Sequence, residues 1–246
     1  MLVFARLAFS TLIIGLFTAS SFAHESTDIA TPHIQTAESQ SALTPHDALE
    51  KLKNGNLRFV DEDKRDFNYT SARKITSIEG QHPFALIFSC IDSRSTPEIT
   101  FDQGVGNIFT ARVAGNVIGT NVLGSIEYAI QYVGSKLVVI MGHTQCGAMG
   151  AACTGESYGN NLNHLLLDIK PAVSTIEREE SELSCSEPMQ INAIAKQNVL
   201  NQMQNALFKS TALREMNENG DILLVGAMHN IKTGEVSFFD IDGEAL

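Results

Sequence analysis

Three short apolar runs set the pattern of the chain. Residues 84–88 (Phe-Ala-Leu-Ile-Phe) follow Pro83, residues 137–141 (Leu-Val-Val-Ile-Met) end at Gly142, and residues 222–228 (Ile-Leu-Leu-Val-Gly-Ala-Met) follow Asp221. Runs of this length without polar interruption suit strands buried on both faces better than helices. Between them the period lengthens. Val122, Leu123, Ile126, Ala129, Ile130 and Val133 make one apolar face of a helix over 120–133, stopped by Gly134. Further helices are predicted over 97–104, 148–153, 162–176 and 191–206, the third followed by an acidic tail at Glu177, Glu179, Glu180 and Glu182. Residues 107–113 read as another strand, and the alternation in 235–240 reads as an edge strand closing a hairpin, after which no fixed structure is required. The result is an α/β fold, with a mostly parallel central β-sheet of four to five strands flanked by helices.

Ahead of the first strand lies an N-terminal helical arm. Thr44 is placed to cap it and Pro45 suits its first position. Ala48, Leu49, Leu52, Leu57 and Phe59 follow at helical spacing, with a break expected near Asn54-Gly55-Asn56. Residues 24–44 carry Ser, Thr, Gln and Pro without hydrophobic pattern and read as a flexible leader. Residues 1–23 read as a signal peptide: Arg6 supplies the positive end, residues 7–17 the apolar stretch, and Ser21-Phe22-Ala23 the cleavage site. The apolar stretch is short for a membrane span. Cleavage predicts an exported, periplasmic product with no membrane association. Residues 45–246 then form a single domain, large enough for one sizeable core. Loss of Arg6 takes the net charge from −11 to −12, which argues against nucleic acid or an anionic membrane surface as partner.

The chemistry sits where the strands stop. Cys90, Asp92 and Arg94 follow the first run and, in an extended chain, would share one side. His143 and Cys146 follow the second, three residues apart, so that one turn can aim both at a single ion. Two sulfurs and one imidazole suit Zn²⁺, and three protein ligands are the number that catalytic zinc sites use, leaving a fourth position open. Taken alone, the cysteines could instead be ordinary buried thiols, and Asp92–Arg94 an ion pair that merely organises its loop.

Cys90-Ile91-Asp92-Ser93-Arg94 together with His143-Thr144-Gln145-Cys146 resembles the β-class carbonic anhydrases. Supporting pieces are Asn54-Gly55-Asn56-x-Arg58-Phe59, Gly80-Gln81-x-Pro83, Phe101-Asp102-Gln103-Gly104, Arg112-Val113-Ala114-Gly115-Asn116 and Ile126-Glu127-Tyr128-Ala129. The resemblance spans residues 45–239 and is to the plant-like bacterial subgroup. It implies one Zn²⁺ per subunit on Cys90, His143 and Cys146, with Asp92 and Arg94 as the catalytic dyad. Gln81, Phe109, Tyr128 and Gly147 fall on positions lining the substrate cleft. The implied activity is reversible hydration of CO₂ to bicarbonate and a proton by attack of zinc-bound hydroxide, with Asp92 orienting the zinc-bound water and Arg94 holding Asp92 off the metal. Gln81 goes with the constitutively open type of site. The family builds its cleft at a dimer interface, with Gln81 of one subunit facing the zinc of the other, so a homodimer or homotetramer is expected. Two other readings stay open at this point: a carbonyl sulfide or carbon disulfide hydrolase on the same fold, and a non-catalytic zinc-stabilised binding protein. Cys153 and Cys185, 32 residues apart, are left either as a disulfide or as two separate thiols.

Overall fold

The computed structural model describes residues 33–180 and 182–246, so the predicted export signal and the first part of the leader lie outside the described residues. Five strands form one sheet: β1 (Ala85–Ser89), β2 (Ile108–Arg112), β3 (Leu137–His143), β4 (Leu223–His229) and β5 (Val236–Phe239), in the order β2-β1-β3-β4-β5. The first four are parallel and β5 is antiparallel to β4. Ten α-helices surround the sheet among the described residues. These are α1 (Ala37–Ser41), α2 (Pro45–Val60), α3 (Tyr69–Glu79), α4 (Pro97–Thr100), α5 (Thr120–Glu127), α6 (Gly147–Thr154), α7 (Asn160–Leu167), α8 (Lys170–Glu179), α9 (Pro188–Lys209) and α10 (Thr211–Glu218). After α5 the chain continues as a wider π-helical stretch, Tyr128–Val133, ended by left-handed Gly134.

The sheet is apolar on both faces, as its runs require. Leu86, Phe88, Val138, Ile140 and Leu224 point towards α5, α9 and α10, where Ile126, Val199, Met203 and Leu213 meet them. Ala85, Ile87, Leu137, Val139, Met141, Val225 and Ala227 point the other way, onto Ala48, Leu49 and Leu52 of α2 and onto Phe101. Each of the larger side chains contributes about 1.5–3 kcal/mol on full burial, before the entropy of ordering it is set against that. A third cluster, built from α6, α8 and α9, packs under the loops that follow β1 and β3 and includes Cys90 and Cys146 themselves.

Several elements differ from the sequence reading. Residues 33–44 belong to the stretch read as flexible, yet they are ordered. Thr36 and Ser39 cap α1 reciprocally, and buried Gln40 donates from Nε2 to the Pro83 carbonyl at 2.8 Å. The arm helix α2 does not break at Gly55. A Cβ at that position would lie 1.9 Å from the Phe101 carbonyl oxygen, so the glycine serves close packing against the chain beyond α4 rather than a turn. Next to it, Asn56 Nδ2 donates to the carbonyls of Thr100 and Gly234, which ties α2 to two distant loops. The predicted helix over 162–176 is two helices, α7 and α8. The chain bends at Asp168–Ile169 because Pro171 suits the first turn of a new helix and not the interior of an old one. The helix beginning at Pro97 ends at Thr100, short of Gly104. The segment after β5 is tied back by a bridge between Phe239 and Ala245. No helix among the described residues is long and apolar enough to cross a membrane.

Candidate metal centre

The sheet order places the centre. From β1 the chain crosses to β2 on one side, then back over β1 to β3 on the other. The crevice between the carboxyl ends of β1 and β3 is therefore the topological switch point, where open parallel sheets bind ligands. Cys90 is the residue after β1 and His143 is the last residue of β3. Gln145 takes a left-handed conformation (φ 56°), which turns the chain sharply enough for His143 and Cys146 to converge. Its amide donates to Asn192 Oδ1 of α9 at 2.8 Å, and Thr144 is held by the His229 carbonyl, so the turn is braced from two elements.

One candidate ligand atom from each of Cys90, His143 and Cys146 lies within 4.8 Å of the other two, and all three residues are buried. The hydrogen bonds leave these atoms ready for a cation. His143 Nδ1 donates to the Thr144 carbonyl at 2.9 Å, which leaves Nε2 as the bare lone pair, and Nε2 is buried with no hydrogen-bond partner. Cys146 is the N-cap of α6, where the helix amides favour a thiolate. Cys90 Sγ accepts from the Gly115 amide at 3.3 Å. The two sulfurs act on each other: the contact with Cys146 lowers the Cys90 thiol, and the contact with Cys90, reinforced by burial, pushes Cys146 up. Burial opposes charge on His143, but Cys90, the Thr144 carbonyl and Asp92 outweigh it and raise its pKa. The soft, buried donor set, with one open lone pair and one thiolate already favoured, fits Zn²⁺.

Asp92 and Arg94 do not reach this place by strand alternation, as the sequence reading expected. The chain leaves the extended conformation after Cys90, and the Ser95 amide donates to the Asp92 carbonyl across a turn. Arg94 donates from Nε to Asp92 Oδ1 at 2.9 Å and from Nη2 to Oδ2 at 2.7 Å, and its own amide donates to Oδ1 at 2.9 Å. The two-pronged Arg94 bond holds the Asp92 carboxyl down to about 2, against a burial contribution that raises it. The sign follows. The stabilisation of this pair is fully present above the ordinary carboxylate pKa and is lost as pH falls towards 2. Asp92 Oδ2 stands 3.8 Å from His143 Nε2, beside the ligand set and not among it.

Of the cleft residues named from the sequence, Gly147 opens α6 directly after Cys146. The other three stand apart from the metal set within one chain. Gln81 is exposed and precedes β1, so the full length of that strand separates it from Cys90. Phe109 pairs with Leu86 near the start of β1, about 10 Å along the sheet from Ser89 at its end. Tyr128 packs on Phe109 with ring centroids 6.2 Å apart, and Tyr132 stacks on Tyr128 at 5.2 Å. Tyr128 and Tyr132 are 49% and 80% exposed.

Some residues that shape the centre went unassigned in the sequence reading. Arg112, at the end of β2, donates from Nε to the Cys90 carbonyl at 3.0 Å and from Nη2 to the Asp92 carbonyl, clamping the segment that carries both. Ser95 Oγ and His229 Nδ1 lie 2.9 Å apart and tie the Asp92 turn to β4. Burial lowers His229 to about 4 and keeps it neutral. Arg112 was visible as part of a motif. Nothing in the local sequence marks Ser95 and His229 as a pair.

Residues 85–236 match the family model described as carbonic anhydrase. The chain is 32% identical over 198 residues to carbonic anhydrase 2 of Mycobacterium tuberculosis, covering 80% of this chain and 93% of that relative. The solved structure of the β-carbonic anhydrase CcaA superposes with a TM-score of 0.64 at 25% identity, covering 80% of this chain and 91% of that one. A structure from a study of two tetrameric β-carbonic anhydrases of Sordaria macrospora gives a TM-score of 0.63 at 24% identity, covering 79% of this chain and 95% of that one.

Proposed function

The chain belongs to the carbonic anhydrase family, in its β class, and is a carbonate dehydratase; we propose that Cys90, His143 and Cys146 hold its zinc and that Asp92 and Arg94 orient the water that adds to CO₂. The observation that carries the reading is the convergence of two sulfurs and an unpartnered imidazole lone pair within 4.8 Å, beside a carboxylate that is already engaged elsewhere. Zinc, when bound, supplies a Lewis acid that turns water into a nucleophile near neutral pH.

The chain's own residues do the rest. Asp92, held ionised by Arg94, is an acceptor with no proton to give, so it takes the hydrogen bond of a water O–H and turns an oxygen lone pair towards the carbon. The water oxygen adds to CO₂, a proton leaves, and bicarbonate results. Arg94 occupies both carboxylate oxygens, which opposes a swing of Asp92 onto the cation and favours the open form of the site. Asp92→Ala is expected to lower kcat/KM by about 10²–10³-fold with one zinc per chain retained. Stopped-flow CO₂ hydration with metal analysis measures both, and wild-type turnover in the zinc-loaded variant would remove Asp92 from the mechanism.

Two copies complete the cleft in this reading. Gln81, Phe109 and Tyr128 lie away from their own metal set, and exposed Tyr128 and Tyr132 offer an aromatic surface beside the sheet-edge strand β2. A partner would bring the Gln81 amide to the developing bicarbonate oxygen and the two rings to the apolar side of CO₂. Light scattering on the purified chain should give a dimer or a multiple of it; an active monomer would defeat the proposal. The export signal read over residues 1–23 is retained as a proposal for a periplasmic protein. A disulfide between Cys153 and Cys185 supports it, since such bonds persist in oxidising compartments.

A further inference from the structure

Asn198 and Gln202 lie one turn apart on α9, on its face towards the sheet. Asn198 is wholly buried and Gln202 is 3% exposed, at positions where aliphatic side chains would ordinarily pack. Their hydrogen bonds form a single path. The Ile118 amide donates to Gln202 Oε1 at 2.9 Å, Gln202 Nε2 to Asn198 Oδ1 at 3.4 Å, and Asn198 Nδ2 to the Gly115 carbonyl at 2.9 Å. The Gly115 amide in turn donates to Cys90 Sγ at 3.3 Å. The path therefore ends on a candidate metal ligand.

The segment it holds is a single turn, which the Asn116 amide closes on the Val113 carbonyl at 2.9 Å. Gly115 (φ 64°) and Asn116 (φ 44°) are successive left-handed residues, and the second is not a glycine. A Cβ on Gly115 would meet Ile169 Cδ1 at 2.6 Å and Ala148 Cβ at 3.2 Å, so this backbone is pressed against the helix that follows Cys146. An amide donor from α9 fixes the tilt of the peptide that includes the Gly115 carbonyl, and with it the loop carrying the Gly115 N–H.

We propose that Asn198 is a positioning residue for the metal centre: it keeps the Gly115 N–H aimed at the Cys90 sulfur and so limits the negative charge that this thiolate gives to the cation. The inference rests on Cys90 being a metal ligand. Two thiolates donate more charge to a cation than imidazoles do and make it a weaker Lewis acid. A hydrogen bond to one of them works against that loss. A buried amide that only satisfied its loop would preserve the fold without altering the metal–sulfur bond.

The test uses the full-length mature chain, ¹⁵N-labelled and loaded with ¹¹³Cd in place of zinc. The wild type should show scalar coupling between ¹¹³Cd and the Gly115 amide proton, transmitted through the Cys90 sulfur. Asn198→Leu should lose that coupling. In the cobalt-loaded form its sulfur-to-metal charge-transfer band should move to lower energy, with kcat lower by about 10-fold and KM little changed. Gln202→Met, one step further along the path, should do the same more weakly. Should Asn198→Leu not fold, Asn198→Ser replaces it, too short to reach the Gly115 carbonyl. The inference is overturned if the wild type binds ¹¹³Cd through Cys90 but shows no coupling to Gly115. It is equally overturned if a folded Asn198 variant keeps both the coupling and the charge-transfer band unchanged. Absence of any ¹¹³Cd coupling to the Cys90 methylene protons would sink the reading of the centre itself, and this inference with it.

Discussion

Cys90→Ser is expected to yield a folded chain that retains no zinc and hydrates CO₂ at the uncatalysed rate, a loss of at least about 10³-fold. The change is one atom in size, so the packing of the third core cluster is preserved. The new hydroxyl can still accept from the Gly115 amide where the sulfur does at 3.3 Å. What disappears is a donor that can carry negative charge at neutral pH. A serine hydroxyl does not ionise there, and the two remaining proposed ligands, His143 and Cys146, fall short of the number that holds a catalytic zinc. Zinc affinity should fall by well over the roughly 100-fold that loss of an outer hydrogen-bond partner costs. Because the cation binds the folded chain, its binding free energy also appears as stability. The variant should therefore melt at the temperature of the chelator-stripped wild type and show no rise when zinc is added. Metal analysis, stopped-flow assay and melts with and without zinc check the three parts separately. One zinc per chain with unchanged turnover would show that Cys90 is not a ligand.

That centre was legible in the sequence because its residues come in two short clusters, each at the end of an apolar run, and because the parallel sheet brings the ends of β1 and β3 side by side. The strands were legible for the same reason: a run buried on both faces needs no alternation to be recognised. What sequence reading lost is what depends on distant partners. α1 is a polar pentapeptide whose order comes from its cap and from a carbonyl 43 residues away. α3 buries only Ala72, and its other apolar residues, Tyr69, Ile75 and Ile78, stay half-buried or exposed, so it is not anchored by the core as the other helices are. Gly55 looks like a break because glycine is a poor helix former, yet here a neighbouring carbonyl demands it. Asn198 reads as one more polar position on a long helix, since its acceptor is 83 residues away. Asp92 stands beside the metal-ligand candidates through a turn that pairs it with Arg94, and not through strand alternation.

Removing the bond between Cys153 and Cys185 is expected to lower stability by about 3–4 kcal/mol while leaving the zinc in place. The sequence left this pairing open; the structure joins the two residues, with their Cα atoms 5.5 Å apart. They are 32 residues apart along the chain, and loop-closure entropy for a ring of that size gives the figure quoted. In a domain of this size, that is a fall in Tm of roughly 10 °C. The ring encloses α7, α8 and the acidic tail, Glu177, Glu179, Glu180 and Glu182, whose like charges do nothing to close it unaided. Cys153 lies on α6, seven residues after the proposed ligand Cys146, so the bond anchors the far end of the helix that the candidate metal loop begins. The near end is held independently, by the bond from the Gln145 amide to Asn192. Cys153→Ala/Cys185→Ala should accordingly melt early but keep one zinc per chain, with CO₂ hydration at 25 °C within about twofold of wild type, since the lost term acts mainly on the unfolded chain. The same bond reports on compartment. Chain recovered from outside the cytoplasm should begin at His24 and, unfolded with a chelator but without reductant, alkylate at only Cys90 and Cys146. Four reactive thiols in that material, or a double variant with unchanged Tm, would show that the bond does not form where the protein works.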